Sequence, residues 1–138
     1  MLVENNASMA RETEALELDR ATVLRGVRAV LEDGAKGFYL VAEQGGAVVG
    51  QLMVTFEWSD WRAGQYYWVQ SVYVAEPARR SGVYRALYAR VLEIARERGD
   101  GVGVRLYVER ANTRAQATYA ALGMERSHYD MFEVSLSR

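Results

Sequence analysis

Apolar residues along this chain recur with two spacings, and the order in which the spacings alternate outlines a fold. Met1 to Ala15 has no strand pattern, and its Leu2, Met9, alanines and glutamates predict a helix. After a break at Glu17-Leu18, Asp19 is placed to cap a second helix. There Val23, Leu24, Val27, Val30 and Leu31 form one face, Arg20, Arg25 and Arg28 the solvated one, and Glu32-Asp33-Gly34 the end. Two apolar runs, Phe38 to Ala42 and Val48 to Phe56, flank Gln44-Gly45-Gly46 and predict an antiparallel hairpin. Residues Glu57 to Gly64 read as the connection to a third strand, Tyr66 to Val74, completing a meander. That strand stops at Glu76-Pro77, the single proline of the chain, and passes through Ala-Arg-Arg-Ser-Gly. A helix follows from about Val83, with Leu87, Tyr88, Val91, Ile94 and Ala95 on its apolar face. Beyond Asp100-Gly101 comes a strand at Val104 to Val108, expected to be fully buried and parallel to its neighbour at 66–74. Asn112 starts a last helix, with Ala115, Tyr119 and Leu122 on one face and Gly123 just past its end. Tyr129 to Leu136 alternates and is expected to end the sheet.

Composition narrows what such a domain could do. At 138 residues, half of them hydrophobic, the chain reads as one compact domain spanning residues 1–138. Lys and Arg number 17 against 18 Asp and Glu, which argues against nucleic acid as a main partner. Cysteine is absent, so disulfides, thiol nucleophiles and cysteine-held metals are excluded, and a reducing cytoplasm fits. The lone histidine, His128, gives no basis for a histidine metal site or triad and is read as structural. Asp, Glu or Arg interrupts every hydrophobic run, so neither a membrane span nor a signal peptide is expected.

The stretch from Trp68 to Gly99 holds the clearest chemistry. Its strand–loop–helix order puts Arg79-Arg80-Ser81-Gly82 at a helix N-terminus. Unpaired backbone N–H groups, the positive end of the helix dipole and a glycine allowing close approach suit a phosphate or pyrophosphate there. Arg79, Arg80 and Arg85 add cations. An ordinary turn with a solvated basic surface is the competing reading of these residues alone.

With these elements in this order, the chain resembles the GNAT acetyltransferase superfamily over roughly residues 37 to 136. In that family a strand ending in Val-x-Val precedes a Gln/Arg-x-x-Gly-x-Gly/Ala loop whose amides hold the acetyl-CoA pyrophosphate. Val72-Tyr73-Val74 and then Arg79, Gly82 and Tyr84 stand at those positions. Tyr84 replaces the usual small residue and must point away from the phosphates or lie over them. The resemblance thus implies acetyl-CoA contacts from Val72 to Val74 and from Arg79 through Arg80, Ser81, Gly82, Val83 and Tyr84 to Arg85. A second match, Leu106 to Asn112 followed by Ala115, Tyr119 and Gly123-Met124, implies that Asn112 touches the pantetheine arm and that Tyr119 protonates the departing thiolate. A phenol within hydrogen-bond reach of sulfur can do so. Seven residues is nearly two helical turns, which puts Asn112 and Tyr119 on one face. Without the family, an N-capping Asn and a core Tyr would explain the pair as well.

For the acceptor, Glu57, Trp58, Asp60 and Trp61 form an acidic and aromatic cluster that would hold a cationic amine by charge and cation–π contact, or would simply pack a corner. Gln70 stands where relatives often carry a glutamate that helps deprotonate the amine. Glutamine cannot act as a base, so a water or a carboxylate such as Glu57 would have to serve.

The resemblance implies an α+β domain, a mixed and mostly antiparallel sheet with helices on both faces, here without the family's first edge strand. It implies acetyl transfer from acetyl-CoA to a primary amine, of a small molecule or a peptide, by direct attack in a ternary complex without metal. A non-catalytic acyl-CoA-binding module is the alternative, supported by Gln70 and Tyr84. The missing strand leaves Gly37 to Ala42 as an apolar edge, with Tyr39 and Val41 on it; residues 1–15 covering it, a start lying upstream and a second copy pairing there are the three readings, and the homodimer is the preferred one.

Overall fold

The computed structural model describes residues 1–136, in two compact units that meet in sequence between Leu106 and Tyr107. The first unit carries two helices, α1 (Leu2–Glu14) and α2 (Arg20–Glu32), then three strands, β1 (Gly37–Gln44), β2 (Ala47–Ser59) and β3 (Gly64–Val74). A short 3-10 turn at Glu76–Ala78 leads to α3 (Val83–Arg98) and a fourth strand, β4 (Gly101–Arg105). The sheet runs β1-β2-β3-β4, antiparallel for the first two pairs and parallel for the last. This is the expected mixed, mostly antiparallel α+β sheet, and β1 is the first strand among the described residues.

The helices cover both faces. Leu52 and Val54 of β2, Tyr67 and Val69 of β3, and Val83, Leu87, Val91 and Ala95 of α3 form the buried core on one side. Phe38, Phe56 and Tyr67 meet there as a trio of tilted and edge-on rings, with centroids 5.0–6.4 Å apart. Gln51 points the other way, as its place next to Leu52 requires. It is 0% exposed, accepts from Asn5 Nδ2 at 2.8 Å and donates to Asn6 Oδ1 at 3.0 Å, which seats α1 on the second face. Asp19 caps α2 through the backbone N–H of Thr22, as expected. Of the predicted α2 face only Val27 is buried, and Leu24 and Leu31 are exposed.

Three boundaries differ from the sequence expectation. Glu57, Trp58 and Ser59 belong to β2 rather than to a connection, because they pair with Tyr66, Gln65 and Gly64. The strand expected at Val104 to Val108 begins at Gly101 and stops at Arg105. Gly101 is why: a β-carbon there would lie 2.7 Å from that of Ala95, so only a bare backbone can run this close under α3. Nor is β4 fully buried, since it is the outer strand of the sheet and Val102 is exposed.

The second unit holds α4 (Thr113–Ala121). Gly123, at φ 91°, receives the chain as it leaves the helix, and Met124 N–H donates back to the Tyr119 carbonyl at 3.1 Å. Tyr129 to Leu136 does not end the sheet: these residues join no strand ladder. Alternation specifies which side chains share a face, and says nothing about which edge will pair with them.

Candidate functional site

The centre of the first unit is an irregularity in β3. Gln51 pairs with Tyr73 and Met53 with Gln70, so Ser71 and Val72 together oppose the single residue Leu52. Ser71 takes a left-handed conformation, φ 51°, rare for a residue with a side chain. The bulge reverses the strand's facing: Tyr67 and Val69 point into the core before it, Val72 and Val74 after it. On the other side β3 and β4 pair only from Gln65 to Trp68, opposite Gly101 to Arg105. Past Trp68 no further β3–β4 pair forms among the described residues. A bulge of this kind takes backbone N–H groups out of the regular ladder.

The predicted anion loop follows directly. Arg80 and Gly82 both have positive φ, 63° and 83°, and Ser81 Oγ donates to the Ala78 carbonyl, so the chain is wound tightly before Val83. No side chain caps α3, leaving its first-turn N–H groups for a ligand. A β-carbon on Gly82 would meet nothing within 4 Å, so the approach to these amides is open. Gly50 fixes the helix against the sheet, since a β-carbon there would come 2.6 Å from Val83 Cγ1. The residues present therefore fit a pyrophosphate held on backbone amides. Tyr84, the departure from the family pattern, packs against the core and stacks on Tyr88 with ring centroids 6.3 Å apart, so its ring is directed inward. Among the expected cations, Arg79 is already committed: its Nη2 meets Glu12 of α1 at 2.7 Å, its Nε donates to the Val74 carbonyl at 2.8 Å, and it lies over Tyr73. Hydrogen bonding to Glu12 raises its pKa further, so it is a permanent cation that braces the loop. Arg80 and Arg85 are exposed and make no ion pair among the described residues.

The expected acceptor residues are split. Gln70 donates from Nε2 to Thr55 Oγ1 across the β2–β3 pair. Glu57 Oε1 accepts from Trp68 Nε1 and from Arg105 Nη1, each at 3.0 Å. Arg105 in turn lies 3.5 Å over the Tyr66 ring. Trp58, Asp60 and Trp61 are exposed around the β2–β3 turn, with Trp61 at 92%. Glu57 is thus built into an ion pair with β4, while the two tryptophans are left on the surface. Sequence reading did not single out Ser71, Glu12, Thr55 or Arg105. Only Ser71 left a trace, because Tyr67 and Val69 on one parity and Val72 and Val74 on the other cannot all face inward along a regular strand.

In the second unit, Asn112 Oδ1 accepts from Ala115 N–H at 3.1 Å, the helix-capping role that local chemistry predicted. Tyr119 is half-buried on α4, and burial raises its phenol pKa above the usual 10.0. It is neutral and able to donate at physiological pH. The His128 ring lies tilted against that of Tyr129, with centroids 4.1 Å apart. Among the described residues no cluster of three or more His, Asp or Glu side chains is arranged to hold a metal. No helix among them is long and apolar enough to cross a membrane.

The model of the acetyltransferase (GNAT) family matches residues 6–124. The chain belongs to this family. The match takes in most of α1 and all of α2, ahead of the stretch that carried the resemblance, and ends before Tyr129. A possible acetyltransferase from Clostridium difficile 630 is 42% identical and superposes with a TM-score of 0.92, over 99% of this chain and 90% of that one. An integron cassette protein from the mobile metagenome of Cole Harbour Salt Marsh is 20% identical, with a TM-score of 0.86 over 99% and 84% of the two chains. The aminoglycoside 6'-N-acetyltransferase AAC(6')-IG from Acinetobacter haemolyticus shares the GNAT fold at 14% identity, with a TM-score of 0.75 over 99% and 93%. Among curated proteins nothing matches.

Proposed function

We propose that this GNAT protein transfers an acetyl group from acetyl-CoA to a primary amine, the amine nitrogen attacking the thioester carbonyl directly. The uncapped start of α3, reached through the positive-φ residues Arg80 and Gly82, carries the reading. It is suited to pyrophosphate, with Arg80 and Arg85 adding charge and Arg79 bracing the loop against α1. Acetyl-CoA supplies an activated acyl carbon and a thiolate leaving group. Backbone N–H groups at the Ser71–Val72 bulge are the donors we assign to the carbonyl oxygen as negative charge grows on it. Tyr119 gives its phenolic proton to the departing sulfur, and Asn112 contacts the pantetheine arm. The attacking amine must lose a proton. Glu57 is occupied by Trp68 and Arg105, and Gln70 has no basic group, so we assign that step to water rather than to either side chain. The exposed Trp58, Asp60 and Trp61 are suited to a cationic acceptor, by ring faces and one carboxylate. A chain without cysteine is suited to the reducing cytoplasm.

The same two observations on Glu57 and Gln70 favour a second reading, an acyl-CoA-binding module without turnover. One pair of measurements separates them. Acetyl-CoA should raise the melting temperature with concentration, as any ligand of the native state does. Thiol release should then accelerate with a panel of polyamines, aminoglycosides, amino acids and peptides. The thiol assay is clean, since the protein has no cysteine of its own. A thermal shift without thiol release points to the binding module, and the lack of any shift at millimolar acetyl-CoA defeats both readings.

A further inference from the structure

Glu12 lies on the last turn of α1, outside the motif that marks the phosphate loop, yet it is paired with that loop's first arginine. Its Oε2 accepts from Arg79 Nη2 at 2.7 Å, while Arg79 Nε donates to the Val74 carbonyl at 2.8 Å. The same guanidinium lies over the Tyr73 ring, 5.7 Å from its centroid. Two of these contacts tie Arg79 to the end of β3, where the loop departs, and the third ties it to another helix. A planar fork that donates in two directions while its face covers a ring is suited to a fixed strut. What the strut steadies is the next residue. Arg80 sits at φ 63°, a conformation that side chains disfavour and that persists only where the surroundings hold it. Its own side chain is exposed, so the hold comes from its neighbours: Arg79 before it, and Ser81 after it through the bond to the Ala78 carbonyl. α1 is itself fixed on the sheet two turns before Glu12, where Asn5 donates to Gln51 at 2.8 Å. Asn5 and Glu12 are seven residues apart and share one face of the helix. Gln51 pairs in the ladder with Tyr73, so both attachments of α1 converge on the end of β3.

We propose that Glu12 is a positioning residue for acetyl-CoA: by holding Arg79 against the end of β3 it keeps residues 79–82 wound so that the amides at the start of α3 meet the pyrophosphate. The inference rests on the acetyl-CoA reading above and makes α1 part of the cofactor site. It also gives Arg79 a role other than the one its place in the motif implies, since a side chain engaged with Glu12, Val74 and Tyr73 acts on the loop rather than on the phosphates. Exposed ion pairs contribute little to global stability, so the effect of this one belongs to binding and not to folding. A ligand that takes only the wound loop binds in proportion to the population of that form. If the loop without Glu12 is wound in about one molecule in ten, the apparent dissociation constant rises about 10-fold.

The experiment titrates the full chain, Glu12→Ala, Arg79→Lys and the double variant with CoA. Alanine is the best helix former, so α1 should stay folded in Glu12→Ala and the ligand-free melting temperature should stay near that of the parent chain. The dissociation constant for CoA should rise about 10-fold. Arg79→Lys keeps the charge but replaces the planar fork by a point charge, and should weaken binding by a similar factor. The double variant should bind no more weakly than the weaker single variant, because both substitutions break the same strut. With an amine that the parent chain acetylates, KM for acetyl-CoA should follow the dissociation constant at unchanged kcat. Should Glu12→Ala melt early, the double variant, titrated well below the transition, still decides. An unchanged dissociation constant in Glu12→Ala overturns the proposal. So does a tighter one, which would mean that Glu12 withholds Arg79 from the phosphates, and so do additive losses in the double variant or a fall in kcat at unchanged KM. A parent chain that itself shows no melting shift with acetyl-CoA defeats the acetyl-CoA reading, and the strut falls with it; a full shift in the parent chain and an equal one in Glu12→Ala defeats the strut alone.

Discussion

Tyr119 owes its chemical character to burial. Because burial raises the pKa of the half-buried phenol, it holds its proton at physiological pH. If it protonates the leaving thiolate, Tyr119→Phe should lower kcat about 10²-fold while leaving the acetyl-CoA melting shift in place. An unchanged kcat would return the residue to packing. The pH response has a definite sign. A raised pKa keeps the donor protonated past the usual 10.0, so activity should not fall on the alkaline side until above that value, and the Phe variant should lose that limb. An alkaline limb well below it, unchanged in the Phe variant, would point to another group. At the loop, Gly82→Asp should abolish the acetyl-CoA melting shift. It places a carboxylate beside the α3 amides and a β-carbon at φ 83°. A full shift in that variant would move the pyrophosphate elsewhere.

At the scale of elements, the approach of α3 to β2 is set by the missing side chain of Gly50. Gly50→Ala should cost about 1–3 kcal/mol in denaturant titration, typical of forcing a methyl into a filled core. Val83, its neighbour at 2.6 Å, is β-branched and buried, with little freedom to yield. No loss of stability would mean that α3 can shift. These elements were mostly legible in the sequence. The capped α2, the hairpin, the α3 face and the parallel return of β4 all follow from periodicity and turn residues, which are local properties. What escaped is non-local. The Glu12–Arg79 pair joins residues 67 apart, and no spacing rule reaches that far. The motif marked Arg79 as a cation for phosphate, while folding bound its side chain to Glu12 and the Val74 carbonyl. The start of β4 at Gly101 was not legible, because the close neighbour that requires glycine there, Ala95, belongs to another element. Asn112 was legible twice over, as cap and as motif, and the cap is what its side-chain oxygen makes.

For the molecule as a whole, the attachment of α1 differs in kind from that of α3. Its buried side chains are Asn6, Ala7 and Ala10, and it is held by side-chain hydrogen bonds between Asn5, Asn6 and Gln51, by Glu12 to Arg79 and by Glu4 to Arg20. Large apolar side chains fasten α3, whereas α1 depends on polar contacts that water can replace once they open. Hydrogen exchange in the native state should therefore release the α1 amides well before those of α3 and β2. Equal protection of the two helices would show that they open together. An early release has a kinetic meaning. If α1 leaves first, the loop at Arg79 loses its brace before the core opens, so loss of acetyl-CoA binding on heating should run ahead of loss of the fold.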